Sequence, residues 1–481
     1  MPGAFLGSDA AAVMSVAALL LESLSMVPLV AIPAPRIGRG RASAPPRRQG
    51  QPVSGIRRSA IHGIASRNLT VHRYRRIRGF RSGMNAAKAI DRSTLREAAS
   101  MLHLAPTAVS ADFLPLGLTD PAFAAEWDDL AANASEPNAF MERWFVTAGT
   151  AHLPPRQGRL LAIRAGDQLI GLLPLSTEPR YGRLPIAHVE NWLHYHCFLG
   201  GPLLRHGHEA AAWTAILAAL DTDPQSRGLL HLTGLVEDGP VHRALLAAAN
   251  RPCDTVHRIE RALLQSDLSP TAYYEATVRK KKRKEIKRLQ SRLAELGSVT
   301  TTRLTGRADL PAWIDTYLAL EKSGWKGRAG SALASEPHTA AFFRDALTGA
   351  FDAGQLELLR LDLDGEPLAM LVNFLTAPGS FSFKTAFDEA FSRYSPGVLI
   401  QLENLAILDN PAIAWMDSCA AADHPMIDSL WGERRAIVRV TLPLSGWRSR
   451  TLFRAARAVE RAAQAIRNRR TRPQAPPETE E

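Results

Sequence analysis

The sequence predicts a mixed α/β fold, with α+β mixed sheets, made of two copies of one unit. Two apolar hairpins, 159–175 and 356–375, turn at Gly166 and at Gly365, which are 199 residues apart. Helical patterns precede both hairpins, and a basic helix with clear ends separates the halves. Because strands and helices follow the same order twice, we expect two similar domains in tandem.

Length and composition agree with two folded units. The chain has 481 residues, more than one compact core accommodates, and 46% hydrophobic and 22% charged residues are ordinary for a globular protein. Cys197, Cys253 and Cys419 lie far apart and form no Cys-x-x-Cys pair. The cysteines therefore indicate neither a zinc site nor a disulfide framework.

The net charge of +11 comes from one end of the chain. Residues 36–83 contain thirteen arginines and no acidic residue, so residues 84–481 are neutral overall. The charge of the folded part therefore gives no argument for nucleic-acid binding.

Residues 1–83 are expected to lie outside the fold. Residues 10–21 are apolar, but Glu22 and several prolines follow, so this segment is too short and broken for a membrane span. It lacks a preceding basic stretch, which makes a secretory signal a poor fit. We interpret the arm as a wrongly assigned start with translation from Met84, as a disordered basic arm or as a targeting segment, and 84–111 as a linker.

The first unit is predicted over residues 112–268. It opens with a strand near Leu114–Leu118. A helix follows in which Asp120 caps the N-terminus and Pro121 takes the first helical position. The first hairpin then completes the pattern of strand, helix and hairpin that the second half repeats.

Residues 269–297 are predicted to form one basic helix that connects the halves. Ser269 is a good N-cap, Pro270 suits the first turn, and Gly297 stands where a C-cap glycine belongs. One side of this helix is apolar and comprises Ile286, Leu289, Leu293 and Leu296. The other side is cationic and comprises residues 279–284, Lys287 and Arg288.

The second unit is predicted over residues 298–445, and 446–481 form a basic C-terminal helix with a disordered tail. Helical patterns at 313–320 and 339–347 precede the second hairpin. The C-terminal helix is placed at 451–470, and the tail is rich in proline and glutamate. One side of that helix is apolar and comprises Leu452, Val459, Ala463 and Ile466.

The stretch 381–400 is the most informative for chemistry. It begins as an alternating strand and passes through a short loop into a helix that starts at Pro396. Free N–H groups and the helix dipole make a helix start positive. Ser395 is suited to cap, Gly397 permits close backbone approach, and Arg393 adds charge. We therefore predict a diphosphate site; the alternative is an ordinary capped helix.

Four segments together resemble the CelD-like acetyltransferases, a branch of the GNAT superfamily associated with cellulose and exopolysaccharide biosynthesis. They are the basic helix 280–297, the loop 321–330, the segment 383–397 with its Tyr-Ser-Pro-Gly end, and the segment 417–431 that contains Asp-His-Pro-Met. The resemblance covers about residues 112–445.

The resemblance implies two tandem GNAT-like acyltransferase domains, as in the related Fem-type transferases, with the acyl-CoA site in the second. It implies an N- or O-acetyltransferase that uses acetyl-CoA, or another acyl-CoA, to modify a saccharide or other small acceptor. Of the usual GNAT pyrophosphate signature, only Arg393 and Gly397 are present. The residues predicted to bind the donor are Arg393, Tyr394, Ser395, Pro396, Gly397 and Val398.

Acyl transfer requires a proton acceptor and a polarised carbonyl. The candidate catalytic residues are Asp388, His424 and Asp417. His424 titrates near neutral pH by default, although Asp-His-Pro also suits a turn. Asp388 is alternatively the salt-bridge partner of Arg393 or Lys384. A backbone N–H near 384–388 is expected to stabilise the oxyanion, as the resemblance implies.

Acceptor binding is predicted in both halves. The candidate residues are Trp325, Lys326, Arg328, Lys384, Asn191 and Trp192. Trp325 is suited to stack on a sugar or adenine ring, and Lys326 or Arg328 to meet phosphate; the alternative is a helix end with a half-buried tryptophan. His194 and His196 alternate near Asn191 without a third ligand, so no metal is predicted.

Two rival functions stay open. A Fem-type aminoacyl or peptidyl transferase would take its donor from charged tRNA, held by the helix 269–297. A non-catalytic binding protein with the tandem fold is the other. Otherwise nucleic acid is an unlikely partner on this sequence, because no aromatic residues interleave with the cations of the helix. We expect a cytoplasmic chain without a transmembrane span.

Overall fold

The computed structural model describes residues 108–118, 120–154 and 158–471, with side chains as far as Ile466. The chain divides into two units, residues 1–89 and 90–481, and every element below belongs to the second unit. The predictions for residues 1–83, for most of the linker 84–111 and for the tail after 471 lie outside the described residues.

Within the described residues, one mixed sheet of thirteen strands runs through both halves. The strands are β1 (Val109–Pro115), β2 (Gly158–Ala165), β3 (Gln168–Glu178), β4 (His188–Asn191), β5 (Leu203–Leu204), β6 (Leu229–Val236), β7 (Asp254–Leu264), β8 (Val299–Arg303), β9 (Leu356–Leu363), β10 (Glu366–Thr376), β11 (Gly379–Phe387), β12 (Trp415–Asp417) and β13 (Glu433–Pro443). Their order is β1-β2-β3-β4-β6-β13-β7-β12-β11-β10-β9-β8, and β5 pairs with β3.

Helices cover both faces of this sheet. They are α1 (Pro121–Ala132), α2 (Arg143–His152), α3 (Glu209–Thr222), α4 (Pro240–Ala248), α5 (Pro270–Thr277), α6 (Lys280–Ala294), α7 (Leu310–Ser323), α8 (Trp325–Arg328), α9 (Pro337–Asp352), α10 (Pro396–Glu403) and α11 (Trp447–Thr471). Short 3₁₀ helices occupy Ala139–Met141, Leu333–Ser335, Glu389–Tyr394, Asn404–Asp409 and Ile427–Ser429.

The two halves exchange one strand each. β7 from the first half pairs with β12 of the second, β13 from the second half pairs with β6 of the first, and β7 and β13 pair with each other. Apart from β5, each half therefore has six strands in the same order, the sixth supplied by the other half. The predicted mixed α/β fold with a repeated unit is confirmed. The predicted ranges 112–268 and 298–445 follow the two halves along the chain. However, neither range contains all the strands of its half of the sheet, because one strand comes from the other range.

Both predicted hairpins are present, β2–β3 and β9–β10. Gly166 has a φ of 57° and Gly365 a φ of 86°, both in the left-handed region that glycine enters without a Cβ clash. Turns of this kind match the right-handed twist of the paired strands. The first strand begins at Val109, earlier than predicted, because β1 pairs with the whole length of β2.

The single helix predicted over 269–297 is wrong, because the chain forms α5 and α6 with a break between them. Val278 is extended at φ −85° and ψ 122°, and Arg279 follows with ψ 139°. Val278 is 2% exposed, and the break lets it enter the core beside Tyr273 and Ile286. The predicted cap is present, since Ser269 accepts a hydrogen bond from the amide of Ala272 at 3.4 Å.

An aromatic core joins the two halves behind the centre of the sheet. It combines Phe140 and Phe145 of the first half with Phe342, Phe381 and Phe383 of the second. The rings of Phe145 and Phe342 meet edge to face with centroids 5.4 Å apart, a favourable arrangement for aromatic pairs. This core fixes the first half against β11, where the candidate site lies.

Candidate active site

β11 and β12 form a parallel pair that separates toward one end. Their pairing is confined to Gly379–Phe381 of β11 and Trp415–Asp417 of β12. Ser382–Phe387 continue along β10 with no described strand on their other side. Because unpaired strand backbone seeks hydrogen-bond partners, this opening in the middle of the sheet is suited to receive an extended ligand.

A β-bulge lies at the start of the opening. Val372 of β10 stands opposite Lys384, and Asn373 stands opposite Ser382, so Phe383 is an extra residue on β11. A bulge disrupts the hydrogen-bond ladder and re-aims the neighbouring side chains, and bulges are frequent next to active sites. The backbone around this bulge is within the strand predicted to stabilise an oxyanion.

Lys384 follows the bulge directly. Its Nζ atom lies 5.1 Å from the ring centroid of Phe383 and 5.5 Å from that of Phe198, which belongs to the first half. Burial, reinforced by the charge of Lys326, lowers the pKa of Lys384 to about 8. A lysine with such a pKa holds its proton weakly enough to exchange it with a substrate near neutral pH.

The first half contributes His196 to the same place. His196 is 4% exposed, and its ring stacks on Phe342 with centroids 5.1 Å apart and planes at 5°. Neither ring nitrogen has a hydrogen-bond partner among the described residues. Burial, followed by the charge of Lys384, lowers the pKa of His196 to about 2, so the imidazole is neutral. From the sequence, this histidine was considered as a metal ligand and not as a catalytic residue.

Glu321 is a second residue that sequence reasoning missed. It is 5% exposed at the end of α7 and accepts hydrogen bonds from Nζ of Lys326 at 2.7 Å and from the amide of Leu333 at 2.8 Å. Its charge opposes the lowering of the pKa of Lys384, which places the carboxylate near that lysine. In the sequence, Glu321 continues the helical spacing of the apolar residues Ile314, Tyr317 and Leu318. An acidic residue on the apolar side of a helix is the signal that was available.

The loop around α8 is anchored next to the donor turn, the segment 393–398 that is predicted to bind the acyl donor. Glu389 accepts hydrogen bonds from the amide of Trp325 and from the guanidinium of Arg328. Trp325 itself is 58% exposed. Lys326 and Arg328 therefore both have carboxylate partners, and the exposed indole of Trp325 is the group left for a ligand.

The turn between β11 and α10 has a different cap from the predicted one. Asp388 caps the 3₁₀ helix Glu389–Tyr394 by accepting from the amide of Ala390 at 2.8 Å. Ser395 is left-handed at φ 54°, and its side chain makes no capping hydrogen bond. Its carbonyl instead accepts from the amides of Val398 at 2.9 Å and Leu399 at 3.2 Å.

The same turn is largely covered. Pro396, Gly397 and Val398 are buried. A Cβ atom at Gly397 would lie 3.1 Å from Sδ of Met426 and 3.3 Å from the ring of Phe387. Arg393 is exposed at the rim of the turn, and its guanidinium lies 4.7 Å above the ring centroid of the buried Tyr394.

The three predicted catalytic residues occupy different environments. Asp417 is fully buried and bonds Nη2 of Arg261 at 2.8 Å, and it lies 3.2 Å from Nη1 of Arg435. Burial alone would raise the pKa of Asp417, but the two arginines hold it below its usual value. Asp388 is the cap described above. His424 lies in the loop that covers the donor turn, and its Nδ1 has no partner among the described residues.

Asn191 and Trp192 occupy the equivalent opening of the first half. β4 and β6 are parallel over His188–Glu190 and Leu229–His231, as β11 and β12 are. The side chain of Asn191 bonds both the amide and the carbonyl of Thr233, at 2.8 and 2.9 Å. Trp192 is 4% exposed in the core. The protein itself therefore fills this opening, and both side chains stabilise the fold. The structure gives no geometric support for the substrate-binding role predicted for Asn191 and Trp192.

Substitution of Gly200 tests the filled opening. A Cβ atom there would lie 2.0 Å from the carbonyl oxygen of Thr233 and 2.5 Å from Nδ2 of Asn191. We expect Gly200→Ala to reduce the free energy of unfolding by about 1–3 kcal/mol, measured by urea denaturation. Gly117→Ala is the control, because nothing lies within 4 Å of its Cβ position. Equal stability of the two variants would contradict a closed first opening.

A separate cleft of about 710 Å³ lies between α1, α2 and α9 and is lined by Glu142, Trp144 and Gln355 among others. Burial raises the pKa of Glu142 to about 7. None of the residues predicted from the sequence lines this cleft, and it contains no unpaired strand. We therefore place the site at the β11–β12 opening.

Comparison with known proteins agrees with this location. Residues 280–425 match the family model of an acetyltransferase (GNAT) domain. No curated protein matches the chain. Within the described residues, no group of histidine, cysteine and acidic side chains is suited to hold a metal ion, and no helix there is long and apolar enough to cross a bilayer.

Three solved structures are similar over about two thirds of the chain. A structure described as FemX has 11% identity and a TM-score of 0.47, covering 69% of this chain and 96% of its own. The C-terminal domain of a putative lysylphosphatidylglycerol synthetase from Agrobacterium fabrum has 13% identity, a TM-score of 0.43 and coverages of 69% and 96%. A tandem GNAT protein from the clavulanic acid biosynthesis pathway has 18% identity, a TM-score of 0.37 and coverages of 70% and 99%.

The range matched by the family model contains the bulge, Lys384 and the turn before α10, on a strand pair that opens in the middle of the sheet. Residues 280–425 therefore match an acetyltransferase (GNAT) domain, and the opening beside β11 lies within this range.

Proposed function

We propose that the chain transfers an acyl group from acyl-CoA to a hydroxyl or amine of a saccharide or other small acceptor, at the β11–β12 opening. One observation carries the proposal: the bulged stretch of β11 has unpaired backbone directly beside Lys384, inside the GNAT domain. The saccharide acceptor follows from the CelD-like resemblance, which links the chain to polysaccharide biosynthesis in the cytoplasm.

The thioester lies along β11 in this mechanism. Free backbone groups of Ser382–Phe387 hydrogen-bond the amides of the pantetheine arm, and an N–H near the bulge receives the thioester oxygen. The acceptor oxygen or nitrogen attacks the thioester carbon, and the C–S bond breaks as the tetrahedral intermediate collapses. Lys384 in its neutral form takes the acceptor proton and returns it to the departing thiolate, so protons balance.

The acceptor binds between the halves. Its reactive group meets Lys384, and the wall opposite is formed by His196 and Phe198. The free ring nitrogens of His196 supply a hydrogen-bond donor and an acceptor for a sugar hydroxyl or a small amide. Trp325, which is 58% exposed, offers a flat surface on which a sugar ring stacks.

The diphosphate of the donor is assigned to the rim of the turn before α10. Arg393 is exposed there, and α6 packs against the 3₁₀ helix that carries it. Because Met426 covers Gly397, deeper entry of the diphosphate requires the loop with His424 and Met426 to move. His424 then contacts the donor rather than the acceptor.

A Fem-type transferase that uses charged tRNA is the second candidate, and α6 is the observation in its favour. Within the described residues, Lys282 makes the one ion pair of this helix, with Glu285 at 3.4 Å. Its exposed cations without such a pair are Lys280, Lys281, Lys284, Lys287, Arg288 and Arg292. A stripe of this kind beside the donor turn suits a polyanion as well as CoA phosphates.

Ligand-dependent melting distinguishes these functions. We expect acetyl-CoA at about 100 times its Kd to stabilise the fold by about 2.7 kcal/mol and to raise the Tm accordingly. Arg393→Glu should reduce this shift, whereas Arg180→Glu, an exposed arginine of the first half, should not. Protection of α6 from hydrogen exchange by charged tRNA, with steep salt dependence and no response to acetyl-CoA, would favour the Fem-type reaction. No response to either ligand would leave a non-catalytic binding protein.

A further inference from the structure

The C-terminal helix α11 packs on the body through a side that overlaps only in part with the apolar side predicted from its sequence. Phe453 and Ala456 face the body and are 5% and 0% exposed. Leu452 and Ile466, from the predicted apolar side, remain 39% and 41% exposed, and Trp447 at the start of the helix is 66% exposed. Val459 and Ala463 of the predicted apolar side are half-buried, so Trp447, Leu452 and Ile466 are the large apolar side chains that α11 leaves exposed among the described residues.

The exposed apolar side lies next to a row of arginines. The sequence of α11 contains eight arginines and a single acidic residue, Glu460. Arg448, Arg450 and Arg454 are exposed and make no ion pair in the part of the chain that the structure describes. Arg461 lies 3.2 Å from Asp254, at the surface of the body.

Helical geometry separates most of the arginines from the apolar side chains, whereas Arg448, eighteen residues before Ile466, shares the side of Ile466. Arg450, Arg454 and Arg461 are spaced by four and seven residues and line one flank of the outward face. Leu452 and Ile466 are fourteen residues apart and line the other flank, and Trp447 lies between the flanks at the N-terminal end. α11 thus presents an amphipathic face to its surroundings, although its inner side is already packed on the sheet.

We propose that α11 docks the protein on the surface of a bilayer that contains anionic phospholipid. Trp, Leu and Ile enter the boundary between headgroups and acyl chains, while arginines extend to the phosphates. Charge complementarity identifies the lipid as anionic, because Arg448, Arg450 and Arg454 are exposed without a carboxylate partner among the described residues. RNA is the less suitable occupant, since exposed leucine and isoleucine side chains gain nothing from phosphates.

α6 supports the distinction by contrast. Its apolar residues Ile286, Leu289 and Leu293 are all buried, so its outward face consists of charged and polar side chains, most of them cationic. Exposed apolar side chains accompany the cations on α11 and not on α6. The docking proposal is independent of the acyl-transfer proposal, and each can fail without the other.

Vesicle co-sedimentation of the full chain tests the proposal. We expect the protein to sediment with vesicles of phosphatidylcholine mixed with phosphatidylglycerol, and to stay in solution with phosphatidylcholine alone. Replacing Arg448, Arg450 and Arg454 together by glutamine should weaken the apparent affinity by about tenfold or more. The matched control replaces Lys280, Lys281 and Lys284 by glutamine, which removes the same charge from α6 and should leave most of the affinity.

The apolar contribution has its own pair of variants. Trp447→Ser with Leu452→Ser should weaken vesicle binding, whereas Leu246→Ser with Leu268→Ser, which are 44% and 45% exposed elsewhere, should not. Thermal melting verifies that each variant is folded; Ile466→Ser replaces the first pair if that pair is unstable.

Three outcomes would overturn the proposal. The first is the absence of sedimentation with anionic vesicles. The second is an equal loss of affinity in the α6 and α11 charge variants, which would indicate unspecific charge attraction. The third is binding that RNA abolishes and that the Trp447→Ser and Leu452→Ser pair leaves unchanged, which would make a nucleic acid the occupant.

Discussion

Replacement of Lys384 by methionine is expected to lower the turnover number by about 10²–10⁴-fold, the range typical for loss of a positioned proton acceptor. Methionine keeps the length of the side chain beside Phe383 and Phe198 but cannot exchange a proton. Initial rates with saturating acyl-CoA and acceptor measure the effect. Because methionine leaves the packing in place, the melting temperature should change little.

The pH profile separates a proton acceptor from a merely structural lysine. Burial lowers the pKa of Lys384 to about 8, and the proposed mechanism uses its neutral form, so the rate of the native protein should rise as pH increases through about 8. In Lys384→Met this rise should disappear. Lys322→Met is the control, since Lys322 is an exposed lysine at the end of α7. A rise near pH 8 that persists in Lys384→Met would assign the proton to another group.

Replacement of Asp417 by alanine is expected to cost about 3–5 kcal/mol of the free energy of unfolding, because it leaves a buried cation without its partner. Asp417 is fully buried, and the side chain of Arg261 is 3% exposed. The pair joins β12 to β7 where the two halves exchange strands. Urea denaturation measures the cost.

An exposed ion pair provides the control for Asp417. Asp315 pairs with Arg344 at the surface and its side chain is 60% exposed, so Asp315→Ala should cost at most about 1 kcal/mol. The pKa of Asp417 is lowered in the folded protein, so its contribution is complete above the usual aspartate value of about 3.9 and is lost as pH falls. Similar losses of unfolding free energy in Asp315→Ala and Asp417→Ala would show that the buried Asp417–Arg261 pair does not stabilise the junction of β12 and β7.

The sequence predicted the repeated unit because its signals are local. Gly166 and Gly365 mark two turns that require left-handed backbone, and each lies between runs of apolar residues. Asp120 was predicted as a cap, and it accepts from the amide of Ala122 at 2.7 Å. Such contacts span only a few residues, so composition and spacing are sufficient to predict them.

Contacts between distant residues could not be predicted in the same way. The exchange of β7 and β13 joins segments that are about 180 residues apart, and no local pattern encodes it. Asn191 looked like a cleft residue, but Thr233 takes both of its hydrogen-bonding groups. Val278 broke the connecting helix because the core offered burial, which outweighed helical propensity.

The sequence by itself determined the α/β class and the doubling of the unit, and it pointed to the stretch of β11 and α10 in which we propose that the chemistry lies. Tertiary structure decided which of the two strand openings is available, since Asn191 fills one and Lys384 lies beside the other. It also brought His196 from the first half, and Glu321 from α7 of the second, to that lysine. The physical reason is that the pKa of a buried group depends on neighbours that only folding supplies.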